Sequence, residues 1–141
     1  MMTIQTLEFY NADWIIIPKE SGVVNFRLIA NPPVAASLGI VVFAKKTTSS
    51  TGQWGPLGKT SIDKIPGTLP GPGFQLPVQG GMDYVIRFQG EAHLLMPGFE
   101  SITLGFDLST ENSPLSNLDG SKTASNSHAA GVNGNVFLRH A

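Results

Sequence analysis

The chain has 141 residues, 9 Lys+Arg against 10 Asp+Glu, a formal net charge of -1, 13% charged residues and no cysteine. That length fits a single domain over 1–141, and the scarce, balanced charge leaves no electrostatic footprint for nucleic acid. Disulfides and thiolate metal sites are excluded, and 16 Gly with 10 Pro punctuate the chain too densely for a helical bundle.

The N-terminal run MMTIQTLEFYNADWIIIP has no basic region ahead of an apolar stretch, and Glu8 and Asp13 interrupt it. It reads as cytoplasmic synthesis without a secretory leader, with a virion as a possible destination. No apolar run reaches the ~20 residues that span a bilayer, so no membrane partner is expected. Residues 3–10 and 13–17 are weak strand candidates, with Trp14 expected in the core beside Ile15, Ile16 and Ile17.

Val24, Phe26 and Leu28 alternate with Asn25 and Arg27 as a half-buried strand, stopped by Asn31-Pro32-Pro33. Residues 38–44 are apolar on both faces, which places them centrally. Lys45-Lys46 follow as charges that discourage stray pairing. Residues 47–72 form an extended loop. Within it Gly71-Pro72-Gly73 lacks the third glycine of a phosphate cradle, and Pro72 removes a backbone donor.

Residues 73–79 are a further weak strand, and Gln79-Gly80-Gly81-Met82 turns into a strand with Tyr84, Ile86 and Phe88 on one face and Arg87 and Gln89 on the other. Met96-Pro97-Gly98 turns into the clearest strand of all, Ile102, Leu104, Phe106 and Leu108 alternating with Thr103, Gly105, Asp107 and Ser109. Residues 109–135 are Ser, Thr, Asn, Gly and Ala with few apolar anchors, an arm or loop expected to order only against a neighbour. A weak strand at 135–140 closes the chain. Seven or eight short strands predict an all-β protein, an antiparallel β-sandwich of immunoglobulin-like or jelly-roll type with a long polar C-terminal arm.

Chemistry is sparse. There is no Gly-x-Ser-x-Gly elbow and no His-Glu-x-x-His helix. Glu91 and His93 share a strand face, and a facing His140 would complete a metal site; the stronger expectation is a weak ion pair and no metal. Asp107, Glu111 and Asn112 offer oxygens but lack the calcium-loop pattern. No catalytic residue and no cofactor is expected. Trp54, next to Gln53 and between glycines, is an aromatic platform for a sugar ring or another subunit.

In size and composition the chain is similar to small β-sandwich accessory proteins of phage particles. From the sparse charge and the long polar segment 109–135, the function expected is non-enzymatic and structural. A virion component such as a capsid cement or decoration protein would bind further copies of itself or other structural subunits through sandwich faces and the 109–135 arm. The uncharged polar exterior suits burial against other copies at low desolvation cost. The alternative is a carbohydrate-binding, lectin-like module. Its binding residues would be Trp54, Gln53, Asn117, Asp119, Asn126 and Asn133, neutral hydrogen-bonding groups around an aromatic face.

Overall fold

Period-two alternation becomes a strand wherever its apolar face meets a second sheet. The computed structural model describes residues 5–31, 34–48, 55–64, 73–95, 98–118 and 120–141. In chain order its strands are β1 (Gln5–Tyr10), β2 (Ile15–Ile17), β3 (Val23–Asn31), β4 (Val34–Lys46), β5 (Gly55–Lys64), β6 (Gly73–Pro77), β7 (Met82–Leu94), β8 (Ile102–Thr110), β9 (Pro114–Asn117), β10 (Lys122–Ala124) and β11 (Ala129–His140). The larger sheet has the order β1-β11-β7-β4-β5, with β2 also on β11. The smaller has the order β10-β8-β3-β6, with β9 on β8. All pairings are antiparallel except those of β1 and β2, which run parallel to β11. The protein is thus all-β, two antiparallel-rich sheets packed together, with eleven strands among the described residues where seven or eight were expected.

Four phenylalanine rings tie the sheets together. Phe9 and Phe88 come from the larger sheet, Phe26 and Phe106 from the smaller. Phe106 lies 4.9 Å from Phe9, 5.0 Å from Phe26 and 4.7 Å from Phe88 between ring centroids. Tilted and edge-on arrangements at such distances add to the burial of the rings themselves. Two glycines make room. Gly134 stands opposite Phe88, and a Cβ on it would collide with that ring and with the Phe9 carbonyl. Gly90 stands opposite Leu38, and a Cβ there would strike the Ser37 carbonyl.

Residues 109–135 do not form an extended arm. They supply the end of β8, the edge strands β9 and β10, and half of β11, which lies between β1 and β7 in the larger sheet. Ala130, Val132 and Gly134 line the inner face of β11, the Phe88 ring filling the space a side chain at Gly134 would take, while Leu118 and Ala124 anchor the edges. The 47–72 loop contains β5, antiparallel to β4; residues 49–54 and 65–72 lie outside the described residues. Pro32, Pro33, Met96 and Pro97 lie outside them too.

The N-terminal segment covers the outer edge of β11 in two pieces. Tyr10 is level with Asn135 and Ile15 with Leu138, so residues 11–14 pass two residues of β11. Asn11 splices the gap. Its amide donates to the Phe137 carbonyl at 2.9 Å and to the Asp13 carbonyl at 2.7 Å, and its oxygen accepts from the Phe137 N–H at 3.0 Å. A side-chain carboxamide takes the place of a strand's peptide group.

Candidate functional site

The outer face of the larger sheet carries a broad concavity. The pairing registers set its side chains in rows across the strands. One row runs Tyr10, Asn135, Arg87, Val41; the next runs Glu8, Asn133, Gln89, Gly39. On such a mesh, neighbours stand about 5 Å apart across strands and about 7 Å along them. An open trough of about 650 Å³ lies over these rows, with Phe43 at its margin. Gly39 lowers the floor, since β4 presents no side chain there. The Tyr10 hydroxyl reaches the Asn133 side-chain oxygen at 3.5 Å, at the limit of a hydrogen bond.

Toward the end of β11 this face turns aromatic. The Trp14 and Phe137 rings meet edge to face at 5.4 Å, and the Arg139 guanidinium lies 4.4 Å from the Trp14 ring. Trp14, expected in the core, is half-buried on the outer surface because the 11–14 excursion carries it across Phe137. Ile16 is 54% exposed, Tyr10 40% and Phe137 36%. Together they make an apolar ridge beside the trough. A second hollow of about 410 Å³ runs along the same edge, where Leu115 and Leu118 approach Tyr10, Trp14 and Ile16.

Beneath the ridge, Asp83 is buried. It accepts from Arg139 Nε at 2.9 Å, from Arg139 Nη2 at 3.1 Å and from the Thr47 hydroxyl at 2.7 Å. Burial acts to raise its pKa. The hydrogen bonds from Arg139 and Thr47, with the charges of Arg139 and Lys45, outweigh burial and hold the carboxyl below its ordinary value. The fork is two-pronged, the strongest geometry for this pair. The other carboxylates with close partners are also spent on structure. Glu91 meets His93 at 3.3 Å, both exposed. Glu111 accepts from the Gly22 N–H at 3.1 Å, which lowers its pKa.

His140 does not join Glu91 and His93. It is buried at the other end of β11, its Nε2 2.6 Å from the Ser21 carbonyl and its Nδ1 2.9 Å from the Ala141 carbonyl. No group of three potential metal-ligating side chains occurs among the described residues. Asp107 faces Arg27 and Asn117 across the smaller sheet, away from any calcium-like loop.

The expected binding residues that the structure describes lie apart from one another. Trp54, Gln53 and Asp119 lie outside the described residues. Asn117 belongs to edge strand β9. Asn126 occupies the turn before β11 with a left-handed φ of 54°, a conformation asparagine tolerates better than most residues. Of the three described, Asn133 lines the trough. Tyr10, Arg87, Gln89 and Asn135 were not singled out as a site. The outward alternation of Arg87 and Gln89 was visible, but only the strand order brings them beside Asn133. Compared with family models, curated proteins and solved structures, the chain matches none.

Proposed function

We propose that this protein is a non-enzymatic structural domain that associates through the outer edge of its larger sheet. A capsid cement or decoration protein of a virion is one concrete form. The observation that carries the reading is the ridge of Ile16, Phe137, Tyr10 and Trp14, an apolar surface along the β1, β2 and β11 edge with Arg139 packed on Trp14. Contiguous apolar patches of this kind mark interaction sites, and aromatic side chains are the usual anchors of an interface core. The carboxylates Asp83, Glu91 and Glu111 are engaged in structural pairs, which favours binding over chemistry. Assembly here needs no free arm, since 109–135 is already folded into the sheets.

We read the sandwich as immunoglobulin-like in preference to jelly-roll. The order β11-β7-β4-β5 corresponds to the G-F-C-C′ order of a variable-type sheet. Tyr84, near the start of β7, accepts a hydrogen bond at 2.8 Å from the Gln79 N–H five residues upstream. A tyrosine at that corner is a hallmark of such sandwiches. The departure is β8 to β10, which intervene between the last two strands of that sheet and cover the edge of β3.

Native mass spectrometry and light scattering of the purified chain test the assembly reading. A discrete oligomer is expected, and the Ile16→Glu, Phe137→Glu double variant is expected to be folded and monomeric, with a modestly lower melting temperature from the lost Trp14–Phe137 contact. A wild-type chain that stays monomeric at high concentration overturns self-association. An oligomer indifferent to both substitutions removes the ridge as its interface.

A further inference from the structure

The geometry points to a ligand site beside the ridge, sharing only Tyr10 with it: we propose that the trough over β11, β7 and β4 binds a carboxylate-bearing saccharide. Its volume of about 650 Å³ falls within the roughly 300–1,000 Å³ of small-ligand sites. Arg87 stands in the middle of the lining, in register with Asn135 on one side and Val41 on the other. Among the described lining residues it is the charged one, and its guanidinium has no ion-pair or hydrogen-bond partner among the described residues. Among the described residues, the trough lining holds no acid. Glu91 is paired with His93, and Glu8 sits on β1 beside Asn133. An accessible guanidinium recognises a planar carboxylate through two parallel hydrogen bonds.

The rest of the lining fits a sugar ring. Asn133, Asn135 and Gln89 each present one acceptor and two donors, which matches hydroxyl groups that both donate and accept. Tyr10 adds an aromatic face at the rim, and Gly39 leaves depth for a ring below it. A peptide strand is disfavoured as occupant. The floor belongs to β11, β7 and β4, whose backbone groups are committed to strands on both sides, so none remains to pair with an added strand. With one cation among the described lining residues, a polyanionic nucleic acid finds no row of charge there to match its phosphates.

The test uses the full chain, an array of uronate- and sialate-containing oligosaccharides with neutral counterparts, and titration calorimetry on whichever probes respond. Acidic saccharides are expected to bind in preference to neutral ones. Arg87→Gln is expected to weaken the acidic probes by roughly tenfold or more and abolish the preference. Gly39→Val gives a second variant. A Cβ at Gly39 meets nothing closer than the Gln89 carbonyl at 3.8 Å, so the substitution fills the floor without a backbone clash and is expected to remove binding. Both residues are exposed, so melting temperatures should hold. Equal binding of neutral and acidic sugars, full competition by acetate at matched concentration, preference for an acidic peptide, or a silent array each overturns the proposal. The Ile16→Glu, Phe137→Glu protein should retain saccharide binding, so failure of this site and failure of the assembly reading are distinguishable.

Discussion

At Gly134 a single hydrogen atom decides how the two sheets meet. β11 needs an inward position with no side chain, because the Phe88 ring lies across it and the Phe9 carbonyl closes the other side. Glycine in a strand interior ordinarily weakens the strand. Here the loss is offset by a ring cluster in which Phe106 touches three other phenylalanines. Gly134→Ala therefore acts as an overpacking substitution. The methyl has backbone on one side and an aromatic ring on the other, and neither yields by a side-chain rotation alone. A loss of about 1–3 kcal/mol or more is expected, read as a lower urea midpoint. Phe88→Leu in the same protein should recover part of that loss, because it removes the ring the methyl strikes. If Gly134→Ala melts like wild type, the close approach of Phe88 to β11 is wrong.

At the scale of elements, the N-terminal segment shows how an edge is finished. β1 and β2 are short, and the excursion between them breaks any continuous edge on which another chain could add. Asn11 keeps Phe137 paired across the break, so Asn11→Ala leaves one N–H and one carbonyl of β11 without their partner. A loss of about 1 kcal/mol is expected, with faster amide hydrogen exchange at Phe137 than in wild type. Unchanged exchange there would mean that solvent already does the work of the side chain. Strands with strong alternation, such as 24–28, 84–88 and 102–108, were legible because each side chain declares its own face. β11 was legible only in its last residues. Its first half buries Ala130, Val132 and Gly134, whose β7 partners lie 38 to 46 residues away in sequence. The parallel pairing of β1 with β11 has no local signal, as turn chemistry fixes only neighbouring strands. The trough was hidden for the same reason. Tyr10, Arg87 and Asn133 come from three strands, and nothing in their local sequence says that those strands adjoin.

For the molecule as a whole, Asp83 is the junction through which acid acts on the fold. Its carboxylate connects β7 to Arg139 of β11 and to Thr47 beyond β4, while Arg139 in turn lies against Trp14 of the N-terminal segment. Four parts of the larger sheet's end thus depend on one ionised group. Its folded-state pKa lies below the unfolded value near 3.8, so ionisation favours the folded chain. That contribution is complete above the unfolded value and drains away as pH falls through the folded one. Glu111, also held below its ordinary value by the Gly22 amide, acts in the same direction from the exposed side. Stability should therefore be flat from neutral pH down to about 5 and fall on further acidification. Asp83→Asn should be less stable than wild type at pH 7, because the Arg139 fork loses its charged acceptor. Its stability should also fall less steeply below pH 4, since the group that gains a proton is gone. Urea melts of both proteins at pH 3, 5 and 7 measure the two slopes. Parallel pH profiles would show that the buried carboxylate is not the acid-sensitive joint, and that the end of the sheet is held by packing of Trp14 and Phe137 alone.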